Sequence, residues 1–259
     1  MRVAVRVAAA DVECARALAL ELVPGGLEER AAGGEIELGL YVDEGDVGRI
    51  RESFPAARVE RVEPGWEDAW RAFHRPVRVG GIWIGPPWDH LPDGEPAVVI
   101  DPGRAFGTGA HATTRLCVEL LAIAPRGSLL DVGCGSGVLA IAGARLGYGP
   151  LLAVDDDPVA VEVTRANAES NGVVVETRVI DALSGPLPRV DVAVANILLG
   201  PVEHVLSRVD AGYVITSGYL AGERPAAPGW TWVEGREVDG WAADLLVRAG
   251  GRDARGGCG

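Results

Sequence analysis

Apolar and polar residues alternate along the first sixty positions in a pattern that predicts a small mixed domain. Residues 2–8 alternate strictly, which is typical of a strand with one buried face. The Gly33-Gly34 pair separates two further alternating runs and predicts a tight hairpin. The predicted elements are, in order, a strand at 2–8, a helix capped by Asp11, strands at 26–31 and 35–42, a helix at 44–53 and a strand at 58–62. This β-α-β-β-α-β order predicts a ferredoxin-like unit.

Further along the chain, short apolar runs alternate with stretches of helical periodicity. The run Leu129–Val132 predicts a buried strand, and a glycine-rich turn leads from it into an apolar helix that begins near Val138. The other predicted elements are strands at 77–84, 97–100, 151–154, 173–180, 191–195 and 213–217, helices at 113–122, 158–171 and 201–209, and a closing pair of strands at 230–238 and 241–248. This alternation predicts a doubly wound α/β domain.

The glycine-rich turn has the form Asp131-x-Gly133-x-Gly135-x-Gly137. Glycine permits a sharp turn and a close approach to a ligand, because it has no Cβ. A dinucleotide-binding turn needs its third glycine at Val138, and a Walker loop needs a lysine, a residue that this chain lacks. The spacing disfavours a dinucleotide oxidoreductase. It resembles motif I of the class I methyltransferases that use S-adenosylmethionine.

Asp155 ends the next predicted strand, where a carboxylate is placed to accept hydrogen bonds from two ribose hydroxyls. The run Asp155-Asp156-Asp157 has a metal cluster as its alternative interpretation. However, Asp157-Pro158 predicts a helix start, with aspartate as the N-cap and proline in the first turn. Because a helix start accounts for two of these residues, we favour ribose binding and expect no metal.

The segment from Asp101 to Thr114 is a glycine-interrupted loop that leads into a predicted helix. By itself it indicates either a functional loop or a structural turn with Thr113 or Thr114 as the N-cap. Its form, Pro-Gly-x-Ala-Phe-Gly-Thr-Gly-x-His-x-Thr-Thr, is similar to the signature loop of the PrmA family, bacterial enzymes that methylate ribosomal protein L11. Residues 70–76, the glycine turn and residues 196–201 match the same family, so the resemblance covers roughly residues 1–248.

The resemblance implies a Rossmann-like class I methyltransferase sheet that closes with an antiparallel pair, together with a small N-terminal ferredoxin-like α+β domain. We expect a substrate-recognition domain at 1–63, a linker helix and connector at 64–95, an S-adenosylmethionine-binding domain at 96–248 and a disordered tail at 249–259. The residues that it places against S-adenosyl-L-methionine are Thr114, Gly133, Asp155 and Asn196, with Phe106, Thr108, Asp131 and Gly135 as further contacts.

Asn196 is the candidate catalytic residue, because its side-chain oxygen could accept a hydrogen from an amine. Enzymes that methylate adenine or glutamine amides usually carry Asn-Pro-Pro-Tyr here, whereas Ile-Leu follows Asn196 and favours an aliphatic amine. Such an amine must first lose a proton. Solvent, Asp191 and His111 are candidate acceptors, although His111 fits a loop-ordering role better. Asp181, which follows another strand, is either a contact to the adenine amine or a solvated loop aspartate.

The composition of the chain limits the classes of partner and the cellular compartment that we expect. The net charge of −13 argues against a nucleic-acid binder and is compatible with a basic protein partner or with a merely solvated acidic surface. The four cysteines have no metal or disulfide spacing, which fits a reducing cytosol, and Cys134 is expected to be a small filler. The alternating first residues do not have the pattern of a signal peptide, and we expect no membrane-spanning segment, since no apolar run reaches that length.

We therefore predict a cytoplasmic, monomeric, S-adenosylmethionine-dependent N-methyltransferase that acts on lysine side chains or the N-terminal amine of ribosomal protein L11. One alternative keeps the fold and cofactor but acts on another protein lysine or a small-molecule amine. A second alternative is a binding module that has lost catalysis.

Overall fold

A computed structural model describes residues 1–8, 11–23, 27–42, 44–60, 75–101, 109 and 111–250. The chain divides into an N-terminal unit, Met1–Phe73 with Gly103–Phe106, and a C-terminal unit, His74–Pro102 with Gly107–Gly259. The described residues do not include 61–74, where the predicted linker helix begins, nor Phe106, Thr108 and most of the predicted tail. In the part of the chain that is described, no helix is both long enough and apolar enough to cross a membrane.

The N-terminal unit has the predicted ferredoxin-like order. Its elements are β1 (Arg2–Ala8), α1 (Val12–Leu22), β2 (Leu27–Ala32), β3 (Glu35–Tyr41), a 3₁₀ turn (Glu44–Asp46), α2 (Val47–Ser53) and β4 (Arg58–Glu60). The strands form one antiparallel sheet in the order β2-β3-β1-β4. The Gly33-Gly34 hairpin is confirmed, with both glycines at positive φ. Asp11 is the N-cap residue of α1, as predicted, but its carboxylate accepts no hydrogen bond from the first turn of the helix.

The C-terminal unit begins with a small sheet of β5 (Val77–Val79), β6 (Ile82–Gly85) and β7 (Ala97–Val99). Its other elements are α3 (Ala112–Ile123), β8 (Leu129–Val132), α4 (Val138–Arg145), β9 (Leu151–Asp155), α5 (Pro158–Ser170), β10 (Glu176–Val179), β11 (Val190–Asn196), α6 (Leu199–Arg208), β12 (Ala211–Leu220), β13 (Trp230–Val238) and β14 (Trp241–Arg248). The sequence predicted strands at 77–84 and 97–100, but not the turn at Gly80-Gly81 that divides the first of them, nor a separate sheet.

The main sheet has the order β10-β9-β8-β11-β12-β14-β13. The first five strands are parallel, whereas β14 runs antiparallel to both β12 and β13, which confirms the predicted closing pair. All four residues of β8, the middle one of the five parallel strands, are buried, as expected for a parallel strand covered on both faces. Helices α3 and α4 pack against one face and α6 against the other. The fold thus brings the carboxyl ends of five parallel strands to one edge.

Candidate active site

Three of the predicted site residues lie at the same level on neighbouring strands. Val132, the last residue of β8, pairs with the residue before Asp155 on β9 and with the residue before Asn196 on β11. Across the carboxyl edge of the sheet the order is therefore Asp155, Gly133, Asn196. Because neighbouring strands are about 4.8 Å apart, the row from Asp155 to Asn196 spans about 10 Å. The crevice outside this edge is where open α/β sheets bind ligands.

The glycine turn depends on two residues that no side chain can replace without strain. Gly133 has φ +70°, and a Cβ added to it would lie 2.5 Å from Cγ2 of Ile197. Gly137 has φ +79°, and a Cβ there would lie 2.8 Å from Cγ2 of Thr164. Both positions combine a backbone conformation that favours glycine with a lack of space. At these two positions, the turn therefore has room for its backbone only.

Asp155 is hydrogen-bonded to the turn and to the start of α5. Its Oδ2 accepts from the backbone N–H of Gly135 at 3.0 Å, and its Oδ1 accepts from that of Asp157 at 3.1 Å. Burial raises the pKa of the Asp155 carboxyl, and these two hydrogen bonds partly oppose that shift. Each carboxylate oxygen has further acceptor capacity, so the group is able to receive two hydroxyl hydrogens.

Asp157 has the predicted capping role. Its carboxylate accepts a hydrogen bond from the backbone N–H of Val159 at 2.8 Å, and Pro158 occupies the first turn of α5. Asp157 is thus engaged at a helix terminus. Across the described residues, no group of three acidic, histidine or cysteine side chains could hold a metal ion.

Asp131 lies beneath the turn, fully buried at 1% exposure. Its Oδ2 accepts the backbone N–H of Ala140 at 3.0 Å, which fixes α4 to β8. Burial raises the pKa of this carboxyl to about 7, and the nearby charge of Asp155 acts in the same direction. Contact between Asp131 and a cofactor stays a prediction, as do the contacts of Gly135.

Thr114 lies in the first turn of α3, and its hydroxyl oxygen is buried without a hydrogen-bond partner among the described residues. The N-cap of this helix is His111, whose Nδ1 accepts the backbone N–H of Thr113 at 3.4 Å and lies 2.8 Å from the Thr113 hydroxyl. The alternative of Thr113 or Thr114 as N-cap is wrong. An unpaired buried hydroxyl is costly, so Thr114 is suited to a ligand that supplies the missing partner.

The first turn of α3 lies at the same edge of the sheet as the strand ends. The His111 ring contacts Trp241, which pairs with Leu220 at the end of β12. One helical turn after Thr114, the Cys117 side chain lies against that of Ser217, the β12 residue paired with Asn196.

Asn196 is half-buried at the end of β11 and pairs with Ser217 of β12. Within the described ranges, no hydrogen bond of its side-chain amide is present. The amide is thus available to a substrate or cofactor, which is the property that the predicted catalytic role requires.

Asp191 is excluded as the proton acceptor. It lies at the start of β11, five residues before Asn196, and a strand of that length separates them by about 17 Å. Its carboxylate accepts hydrogen bonds from the backbone N–H and the hydroxyl of Ser128, at 2.8 Å and 2.7 Å, and the hydroxyl bond is the main cause of its lowered pKa. Asp191 therefore lies at the amino end of the parallel strands, opposite the candidate site.

Asp181 is exposed after β10. Its carboxylate accepts from the Ser184 hydroxyl at 2.7 Å and from the Leu183 backbone N–H at 2.8 Å, which lowers its pKa. These contacts match the loop-aspartate alternative, and its contact with adenine stays a prediction. Cys134 is buried, and burial raises the pKa of its thiol, which disfavours a nucleophilic thiolate.

Two polar residues of α5 that sequence reasoning missed support the turn from behind. The Thr164 hydroxyl donates to the carbonyl of Gly135 at 3.0 Å, and Asn167 donates to the carbonyl of Ser136 at 2.8 Å. The side-chain oxygen of Asn167 also accepts the backbone N–H of Asp101 at 3.4 Å. The sequence signal that could have identified them is their spacing of three residues, which places two polar side chains on the buried face of α5.

The donor set suits S-adenosylmethionine. The edge offers a carboxylate for a ribose diol, a buried hydroxyl that lacks a partner and a turn in which a Cβ would collide with its neighbours. The turn from Gly133 to Gly137 carries no basic side chain, as is appropriate for a nucleoside without phosphates.

Comparison with known proteins identifies related sequences. The family model described as ribosomal protein L11 methyltransferase (PrmA) matches residues 43–242. The chain is 38% identical over 202 residues to the ribosomal protein L11 methyltransferase of Symbiobacterium thermophilum, covering 72% of this chain and 66% of the relative. It is 47% identical over 174 residues to that of Dechloromonas aromatica, covering 64% of this chain and 57% of the relative. The match thus spans less than two thirds of either curated relative.

A solved structure supports the fold independently. The crystal structure of ribosomal protein L11 methylase from Lactobacillus delbrueckii subsp. bulgaricus aligns with a TM-score of 0.58 and 28% sequence identity. The alignment covers 65% of this chain and 95% of that chain.

Proposed function

This chain belongs to the PrmA family of ribosomal protein L11 methyltransferases, and we propose that it is an S-adenosylmethionine-dependent protein N-methyltransferase that methylates amino groups of ribosomal protein L11. The modified groups are lysine side chains, the N-terminal amine, or both. The observation that carries the proposal is the row of Gly133, Asp155 and Asn196 at one level of the sheet.

In this proposal the cofactor lies across that row. Asp155 accepts the ribose hydroxyls, the backbone of Gly133 and Gly135 packs against the methionyl part and ribose, and Thr114 supplies its unpaired hydroxyl. Phe106 and Thr108 are further contacts from the loop before α3. When bound, S-adenosylmethionine supplies an activated methyl group on a sulfonium. The protein need only hold a neutral amine close to it and aligned, which accounts for much of the rate of a displacement reaction.

Asn196 orients the attacking amine. Its side-chain oxygen accepts a hydrogen from the nitrogen and fixes the direction of the lone pair. The amine arrives protonated at neutral pH and must lose that proton before attack. Because Asp191 lies at the opposite end of β11 and the His111 ring caps α3, we propose that solvent takes the proton.

The ferredoxin-like domain, which we assign to residues 1–63, is proposed to recognise the substrate, with residues 64–95 as linker and 96–248 as the catalytic domain. A net charge of −13 favours encounter with a basic protein. We propose that the enzyme acts in the cytoplasm as a monomer, with no direct contact to nucleic acid. Another protein lysine or a small-molecule amine is the second candidate substrate, since Ile-Leu after Asn196 favours an aliphatic amine of any origin.

Transfer of radiolabelled methyl groups tests the proposal. The purified protein is incubated with labelled S-adenosylmethionine and purified ribosomal protein L11, and Asn196→Ala serves as the inactive control. Label in L11 that depends on Asn196 supports the proposal. Cofactor binding without label in L11 would reject the substrate and redirect the search to other amines.

A further inference from the structure

The β13–β14 hairpin contacts α3 along one stripe of the helix. His111, Arg115 and Glu119 follow one another at intervals of four residues, so they share a helix face. Their partners on the hairpin are, in the same order, Trp241, Asp239 and Arg236. The hairpin thus contacts the helix at three successive turns.

Two of these contacts lie on either side of Thr114 in the chain. The rings of His111 and Trp241 meet edge to face, with centroids 5.1 Å apart and planes at 67°. A guanidinium nitrogen of Arg115 donates to Oδ2 of Asp239 at 2.6 Å. At the third position, Glu119 and Arg236 are 3.8 Å apart. The ion pair of Arg115, the residue after Thr114, is thus shorter than the pair one turn further along the helix.

Asp239 is held in place by the geometry of its turn. It has φ +53° and precedes Gly240 at φ +79°, and these two residues connect the paired positions Val238 and Trp241. Two residues with positive φ form the tight hairpin turn whose twist suits antiparallel strands. The carboxylate is thus presented to Arg115 from a constrained backbone.

We propose that this hairpin positions Thr114 for the cofactor, with Asp239 and Trp241 as positioning residues that act through Arg115 and His111. Thr114 lies between those two helix residues, and its buried hydroxyl has no partner in the described part of the chain. A hydroxyl that meets its partner only on ligand binding depends on the placement of its helix turn. The inference rests on the proposed function, because it requires S-adenosylmethionine at Thr114.

The Arg115–Asp239 pair is expected to affect the affinity for S-adenosylmethionine more than the stability of the fold. The Asp239 side chain is 68% exposed and that of Arg115 is 32% exposed, so solvent screens the pair and it contributes little to global stability. A small change in the helix turn nevertheless alters the hydrogen bond that the Thr114 hydroxyl makes to a ligand.

Asp239→Asn tests the inference, since asparagine tolerates positive φ and Asn-Gly is a favoured pair in such turns. S-adenosylmethionine is titrated calorimetrically into the wild-type protein and the variant. We expect the Kd to rise about three- to fivefold, the upper part of the range that an exposed ion pair allows, with the Tm of the cofactor-free protein unchanged. The KM for S-adenosylmethionine should rise while kcat at saturation stays the same. In an Arg115→Met background, Asp239→Asn should have no further effect.

The matched control is Glu176→Gln, which breaks an exposed pair with Arg178 on the edge strand β10. This variant should leave the Kd unchanged. An unchanged Kd in Asp239→Asn, with or without a lower Tm, would overturn the inference and leave the proposed function intact. Absence of binding by the wild-type protein would reject the proposed cofactor itself, and the inference with it.

Discussion

The carboxylate of Asp155 accepts a hydrogen bond from the backbone N–H of Gly135 at 3.0 Å. This contact joins the two features by which the sequence indicated a nucleoside site: the glycine turn after β8 and the acidic end of β9. They form one structure, because the turn donates to the same group that is proposed to hold the ribose. A change at either residue is therefore expected to disturb the other.

Gly137→Ala should destabilise the protein more than an equivalent change elsewhere. The new Cβ would lie 2.8 Å from the Thr164 side chain, in a backbone with φ +79°. Gly147→Ala is the matched control, since Gly147 has φ +90° and a Cβ there would meet nothing within 4 Å. We expect a loss of about 1 kcal/mol for the control and about 2–4 kcal/mol for Gly137→Ala, measured by urea unfolding. Equal losses would show that Thr164 does not crowd the turn.

Asp131→Asn should change how stability depends on pH. The pKa of the buried carboxyl is about 7, above its ordinary 3.8. Between about pH 4 and pH 7 the folded state keeps a proton that the unfolded state has released, so wild-type stability falls as the pH rises. Asparagine does not titrate and can still accept the Ala140 N–H. Relative to this variant, the wild-type free energy of unfolding should decline by up to about 1.4 kcal/mol per pH unit.

Denaturant titrations at several pH values measure that difference. Parallel curves for the wild-type protein and Asp131→Asn across this range would contradict the raised pKa.

His111→Asn should remove an acid-sensitive contact at the start of α3. Burial and the nearby Arg115 lower the pKa of His111, so the folded state favours the neutral ring that accepts the Thr113 N–H. As the pH falls below about 6.5, the ordinary pKa of histidine, the stability that this hydrogen bond contributes is lost. Asparagine caps helices without titrating, and a cap contributes about 1 kcal/mol. The Tm of the wild-type protein should therefore fall relative to the variant from pH 6.5 to pH 5; a constant difference would count against the capping role.

Asn196→Ala should abolish most of the activity while the protein stays folded. The Asn196 amide has no hydrogen bond within the described residues, so its removal costs little stability. We expect kcat at saturating S-adenosylmethionine to fall about 100-fold, because the amine loses its orientation. Steady-state transfer of label measures this. A variant with normal kcat and a raised KM for S-adenosylmethionine would show that Asn196 serves only in cofactor binding.

The sequence predicts the strand ends and the glycine turn well, because both have local signals. Gly133, Asp155 and Asn196 each follow an apolar run, and the register of a parallel sheet places such positions side by side. The fold class and the closing antiparallel pair were also predictable from the pattern together with the family resemblance.

Features that depend on tertiary contacts were not predictable. Thr164 and Asn167 support the turn from α5, but helical periodicity indicates only that their face is buried, not which backbone groups they reach. Asp191 was a candidate proton acceptor, yet it lies at the start of the strand that Asn196 ends. The His111 cap was missed because histidine is not among the preferred N-cap residues.

Calorimetric titration of S-adenosylmethionine into the wild-type protein and Asp155→Asn tests the central claim most directly, with NAD as the contrasting ligand. Asparagine retains the shape of the side chain but removes the negative charge and one of the two oxygens that are proposed to accept hydrogen bonds from the ribose hydroxyls. We expect the wild-type protein to bind S-adenosylmethionine and not NAD, and the variant to bind about 10- to 100-fold more weakly, the loss expected for charge-assisted hydrogen bonds. Binding of NAD but not S-adenosylmethionine, or equal affinity in the two proteins, would contradict the assignment of this strand edge as the cofactor site.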